Sequence, residues 1–164
     1  MYLTAAASIS HQPTFQNPGF SSALSALRRD SDIQHPDYAR FIPVKETRRM
    51  NDILKMAITC SADCLLQAGL EQPEAIIVGT SMGCNHFTKA FLDKIFEANG
   101  GLISPTAFML STHNTIAGQI SLFLGNRSHN MTHTHNSLSF EQALIDAELC
   151  LLDGARHVLV GAAD

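Results

Sequence analysis

The stretch AIIVGTSMG, Ala75 to Gly83, decides how this chain is read. Its first four residues are apolar without alternation, the pattern of a strand buried on both faces. Small residues follow at once, and Phe87, Phe91 and Ile95 then recur at helical spacing until Asn99-Gly100-Gly101. The unit is strand, tight turn, helix. Downstream, Thr115 to Leu124 reads as a helix between a capping Asn114 and a terminating Gly125. Met131 to His135 alternates like a strand. Ser139 to Asp153 reads as a helix that opens on a capping box of Ser139 and Gln142, turns Phe140, Ala143, Leu144, Ala147, Cys150 and Leu151 inward, and stops at Gly154. His157 to Gly161 is a last apolar strand, and its apolarity implies that something covers it. Upstream, Met50 to Ala68 carries one long apolar face closed by Gly69, while Phe20, Leu24 and Leu27 suggest a short amphipathic helix ended by Arg28 and Arg29. Ser10 to Gly19 and Asp30 to Pro43 read as irregular, and Met1 to Ser8 as a β-prone or mixed start. The expected class is α/β, with helices covering a mixed or parallel sheet.

The chain has 164 residues, of which 45% are hydrophobic and 16% charged, against roughly 25% charged in an average domain. This excludes a disordered tail and fits one domain over residues 1–164, with more surface buried than a monomer of this size needs; an oligomer is expected. The formal charge of −4 contains no block of like charges, which argues against nucleic acid as a partner. No apolar stretch approaches a bilayer span and Met1 to Ser10 has no basic leader, so a cytoplasmic protein without membrane partner is expected. Cys60, Cys64, Cys84 and Cys150 show no disulfide framework and are read as reduced.

Three places could carry chemistry. The turn Gly79-Thr80-Ser81-Met82-Gly83 could present amides to an anion, but it matches neither dinucleotide nor P-loop spacing and reads better as a tight connection. His133 and His135 would share one face of a strand beside His129, with His113 in reach as a further ligand; hydrogen bonding within the sheet or across a subunit boundary is the simpler reading, so no metal ligand set is assigned. Ser137 sits between a strand and a helix, where amides at a helix N-terminus could stabilise an oxyanion. It lacks the flanking glycines of a nucleophile elbow, and a serine without a base is a poor nucleophile.

From Ser104 onward the order of motifs resembles the β-ketoacyl synthases of the thiolase superfamily, especially the ketosynthase-like chain-length factors of flexirubin and aryl-polyene clusters. Ser104-Pro105 with Phe108, Asn114 with Ala117-Gly118, Gly125, and the helix residues Ala143, Ala147 and Gly154 match, with no gap needed between Ser104 and Gly154; Val158-Leu159-Val160-Gly161 matches the strand that follows, and upstream Arg49-Met50 and Gly79-Thr80 with Gly83 match too. The resemblance implies the N-terminal half of a thiolase-like αβαβα layered sandwich, with the C-terminal half beyond this chain. It places Ser137 where the family has its acyl-accepting cysteine, and Ser137-Leu138-Ser139-Phe140 where the family has C-x-S-G. Asn136, Leu138, Ser139, Phe140, Phe108 and Asn114 would line the elbow or the acyl tunnel, with Phe140 packing the elbow shut. Met131, Thr132, His133, Thr134 and His135 would lie along a dimer interface.

The family's second-half histidine pair has no counterpart here. The reading that follows is a catalytically silent subunit that pairs with a ketosynthase or with its own copy, acts on chains held by an acyl carrier protein, and needs no cofactor. The alternatives are an acyltransferase or ketosynthase using Ser137 or completed by a second half, and a metal-binding module built on the histidines.

Overall fold

The computed structural model describes residues 2–48, 50–99 and 101–164. Met1, the Arg49 of the Arg49-Met50 motif and Gly100 therefore lie outside the described residues. The chain forms two compact units, Tyr2–Gln72 and Pro73–Asp164.

The first unit is mostly irregular and carries two helices, α1 (Val44–Thr47) and α2 (Asp52–Ala68). Asn51 accepts a hydrogen bond from the Leu54 amide at the start of α2, and Gly69 ends it in the left-handed conformation, φ 65°. Leu54, Ile58 and Leu65 are buried along the apolar face read from the sequence. Asp63, also buried, accepts hydrogen bonds from the Gln16 and Gln67 side chains at 2.6 Å each, which ties the N-terminal segment to the helix. The expected helix through Leu27 is only a 3-10 turn, Phe20–Ala23; Leu24 turns extended and, with Leu27, stays exposed. A helix that short is not stable without packing along its stripe.

The second unit is a parallel three-stranded sheet. Strand β1 (Ala75–Gly79) is central, and helices α3 (Asn85–Ala98), α4 (Pro105–Leu110) and α5 (Thr115–Leu124) separate it from β2 (His129–His133); α6 (Ser139–Leu152) then leads to β3 (Val158–Ala162). The spatial order is β2-β1-β3, with Gly79 opposite His133 and Ala162. Every residue of β1 is buried, as its unbroken apolarity requires. On one face Ile77 packs against Ala143 and Ala147 of α6, with Cys150, Val158 and Val160 around them; burying Ile77 alone contributes about 2 kcal/mol. Asn130, on the opposite face of β2, donates to Ala117 O and Ser121 Oγ of α5. Glu74 joins the strand starts: it accepts from the Arg156 amide and guanidinium, and its own amide donates to His157 O.

Several sequence expectations shift. β2 occupies His129–His133, not Met131–His135, because its register ends where β1 ends, and Thr134 and His135 fall beyond it. The last strand starts at Val158 and is half-buried. Helix α4 was not expected; its signal was Ser104 followed by proline at the first helical position. Asn114 precedes α5 but its side chain does not cap it: its Oδ1 accepts from Thr112 Oγ1 at 2.6 Å. Gly83, Gly125 and Gly154 take positive φ as turns.

Gly79 is required for a different reason. A Cβ there would lie 2.4 Å from the Ser139 carbonyl oxygen and 2.8 Å from the Phe140 nitrogen, both main-chain atoms that cannot step aside. Gly79→Ala is therefore expected to destabilise the fold by about 1–3 kcal/mol, seen as a lower urea midpoint. An unchanged midpoint would contradict the close approach.

Candidate functional site

At the carboxyl end of the sheet, β2 turns through a 3-10 turn, Asn136–Leu138, directly into α6. Asn136 takes a left-handed conformation, φ 50°, which folds the chain back sharply enough for Ser137 to project outward. Ser139 anchors the bend. Its hydroxyl donates to Asn136 O at 2.7 Å and accepts from the His135 amide at 2.8 Å, and the residue is buried. The expected capping box with Gln142 is not formed, because Ser139 is already the first helical residue and its own amide donates to Asn136 O. Turn and helix run together, so no side-chain cap is needed.

Ser137 is exposed, and no histidine among the described residues hydrogen-bonds its hydroxyl. Leu138 is also exposed. So is Phe140, at 42%, which overturns the expectation that it packs the elbow shut. Ser139, Ala143 and Ala147 form the buried stripe of α6 at four-residue spacing, and Phe140 lies one helical step off it. Phe108 and Asn114 are held elsewhere: Phe108 packs on Phe91 of α3 with ring centres 5.7 Å apart, and Asn114 pairs with Thr112.

The histidines separate. His133 donates from Nε2 to Asp146 Oδ2 at 2.8 Å, across the α6 face of the sheet. His135 is past the end of β2, so the pair does not share a strand face. Of the other residues along this strand, Met131 is 41% exposed, the Thr132 hydroxyl is buried without a partner, and Thr134 is exposed.

A residue that sequence reasoning passed over stands beside the elbow's neighbouring turn. Asp164 Oδ1 accepts from the Ser81 amide at 2.7 Å, Thr80 Oγ1 at 2.9 Å, Ser81 Oγ at 3.0 Å and the Met82 amide at 3.4 Å. The turn that could have held a foreign anion holds the chain's own carboxylate. Burial opposes ionisation of Asp164, but the Ser81 amide, the two hydroxyls and the Met82 amide outweigh it and lower its pKa from 3.8. The only hint in the sequence was a turn of hydroxyl residues placed one parallel strand from an aspartate.

The family model described as "Beta-ketoacyl synthase, N-terminal domain" matches residues 23–164. Among solved structures, the complex of a ketosynthase (ApeO) with its chain length factor (ApeC) from Xenorhabdus doucetiae is similar with a TM-score of 0.66 at 22% identity, over 81% of this chain and 52% of that one. The ishigamide ketosynthase/chain length factor gives 0.65 at 22% identity, over 78% and 38%. A β-ketoacyl synthase from Burkholderia phymatum gives 0.58 at 18% identity, over 93% and 38%. No similarity to a curated protein reaches significance. At these identities the likeness shows the fold, an N-terminal half of the thiolase-like ketosynthase architecture. The chain spans about half, or less, of the solved chains it matches.

Because the folded Asp164 carboxyl titrates below the ordinary value of 3.8, its contribution is complete above that value and disappears as pH falls through the folded value. Asp164→Asn should lower unfolding stability at neutral pH by about 1 kcal/mol, a figure reduced for the exposure of the group. The variant should also flatten the acid limb of the stability profile; identical acid limbs in urea titrations would contradict the assignment.

Proposed function

As the chain belongs to the β-ketoacyl synthase family through its N-terminal domain, we propose that it is a ketosynthase-like subunit of the chain-length-factor type, paired with a partner ketosynthase and without acyl-transfer chemistry of its own. The observation that carries this reading is Ser137: an exposed hydroxyl on the elbow between β2 and α6, to which no imidazole among the described residues is hydrogen-bonded. A cysteine at a helix N-terminus ionises near neutral pH and leaves readily from a thioester. A serine there is almost wholly protonated, and its ester is a weaker acyl donor. A serine at this bend would change the reactive atom without requiring any change in the contacts of Ser139 with the main chain.

The same geometry supports the structural role. β2 is an edge of the sheet, so one row of its backbone groups faces away from β1 and can pair with another chain. The proposed dimer contact follows Met131 to His135, of which Met131, Thr132 and His133 lie on the strand itself. Leu138 and Phe140 expose apolar surface beside the elbow, and Phe108 and Asn114 belong to the segment proposed to complete an acyl tunnel with the partner. The substrate class proposed is a growing fatty-acid- or polyketide-type chain on an acyl carrier protein, of the aryl-polyene or flexirubin kind, elongated in the cytoplasm without a cofactor in this subunit. No helix among the described residues is long and apolar enough to cross a membrane.

Reconstitution tests the proposal. A ketosynthase that copurifies with this chain is supplied with acyl and malonyl carrier-protein thioesters, and the condensed product is followed by mass spectrometry. Ser137→Ala should leave condensation by the pair unchanged. A loss of several orders of magnitude, as when an enzyme loses its nucleophile, would assign the acyl-transfer step to Ser137.

A further inference from the structure

We propose that His129, Asp146 and Cys150 form a zinc site on the α6 face of the sheet, with His133 as the positioning residue that holds the Asp146 carboxylate. One ligand atom from each of the three lies within 4.8 Å of the other two, and they are the one group of three or more such side chains to converge among the described residues. The convergence follows from two periodicities. His129, Met131 and His133 alternate onto the same face of β2, and Asp146 and Cys150 stand one helical turn apart on α6. Because His133 already bonds Asp146 Oδ2, that face of the strand is the one turned to the helix, and it carries His129 to the same carboxylate.

The donor set selects the metal. A thiolate with an imidazole disfavours magnesium and calcium, and sulfur, nitrogen and oxygen donors together suit a tetrahedral zinc ion. A zinc at ordinary bond lengths separates its donors by roughly 3–4 Å, so closure needs only side-chain rotations. Two of the three groups, Asp146 and Cys150, are half-buried, and His129 is exposed, which leaves a path for entry and an open fourth position for water. The hydrogen bond from His133 supplies the outer support that metal-binding carboxylates commonly have. On binding, the Cys150 S–H bond breaks as the sulfur–zinc bond forms, and the proton passes to buffer. Burial first, and then the charges of Asp146 and Asp153, keep that thiol protonated above the ordinary range in the absence of metal. The ion would clamp the edge strand to the helix that covers it.

The full chain, stripped with chelator, is titrated with zinc and, separately, with cobalt(II) as a spectroscopic probe. One zinc per chain is expected after desalting, and cobalt should show the visible bands of a tetrahedral ion with a sulfur-to-cobalt charge-transfer band. Cys150→Ser should abolish that band, and His129→Gln and Asp146→Asn should each weaken binding by about tenfold or more. His133→Gln should weaken binding while keeping the band, which separates support of the carboxylate from ligation. Far-UV circular dichroism of each variant verifies folding, and Cys60→Ser serves as a folded control that retains the band. Binding below one zinc per chain overturns the proposal, as does a charge-transfer band that survives Cys150→Ser.

Discussion

The second unit depends on a contact between two stretches of main chain. β1 ends on Gly79, and the space a side chain would fill is taken by the Ser139 carbonyl and the Phe140 nitrogen. A strand end can approach a helix start this closely only without a Cβ. From that approach follow the burial of Ser139, its two hydrogen bonds to Asn136 and His135, the left-handed Asn136 and the outward projection of Ser137. The neighbouring turn is secured independently by the Asp164 carboxylate. Both constraints act at the carboxyl ends of parallel strands, where open α/β sheets place their sites.

The chemistry of the elbow is separable from its shape. The contacts that hold Ser139, Gly79 and Asn136 do not involve the side chain of residue 137, so the bend does not depend on whether that side chain ends in oxygen or sulfur. In the role proposed for it, the chain would contribute surfaces instead of bond-making groups: an edge strand, and exposed apolar side chains such as Leu138 and Phe140 beside the bend. The face of β2 turned to α6 is a third feature, in which His133 and Asp146 are already paired.

Much of the fold could be read from periodicity. The unbroken run Ala75-Ile76-Ile77-Val78 identified the central strand because only burial on both faces tolerates it, and Gly69 and Gly125 marked helix ends because their left-handed backbones favour glycine. What escaped notice depends on tertiary context. The bounds of β2 come from the length of β1, and the 3-10 turn Asn136–Leu138 before α6 carries no compositional mark, although Ser139 itself was legible as the helix start. Asp164 caps a turn more than eighty residues earlier in the chain, which no local pattern reports. Phe140 looked inward because helical spacing alone does not say which of two adjacent stripes meets the sheet; the small Ser139, Ala143 and Ala147 do, since they let the helix lie close. Of the histidines, the pair two residues apart drew attention, whereas the structure draws His129 and His133 to the same helix through residues that a linear reading does not connect.

In the proposed role, the elbow at Ser137 carries no acyl group during turnover. The most direct measurement uses isotopically labelled acyl carrier protein thioester, mixed with the chain and its copurifying ketosynthase and quenched during turnover, with each subunit's intact mass and peptides examined for label. Label on the ketosynthase alone, with the peptide containing Ser137 at its unmodified mass, is the predicted result; a labelled ester on Ser137 at a level matching turnover would contradict it.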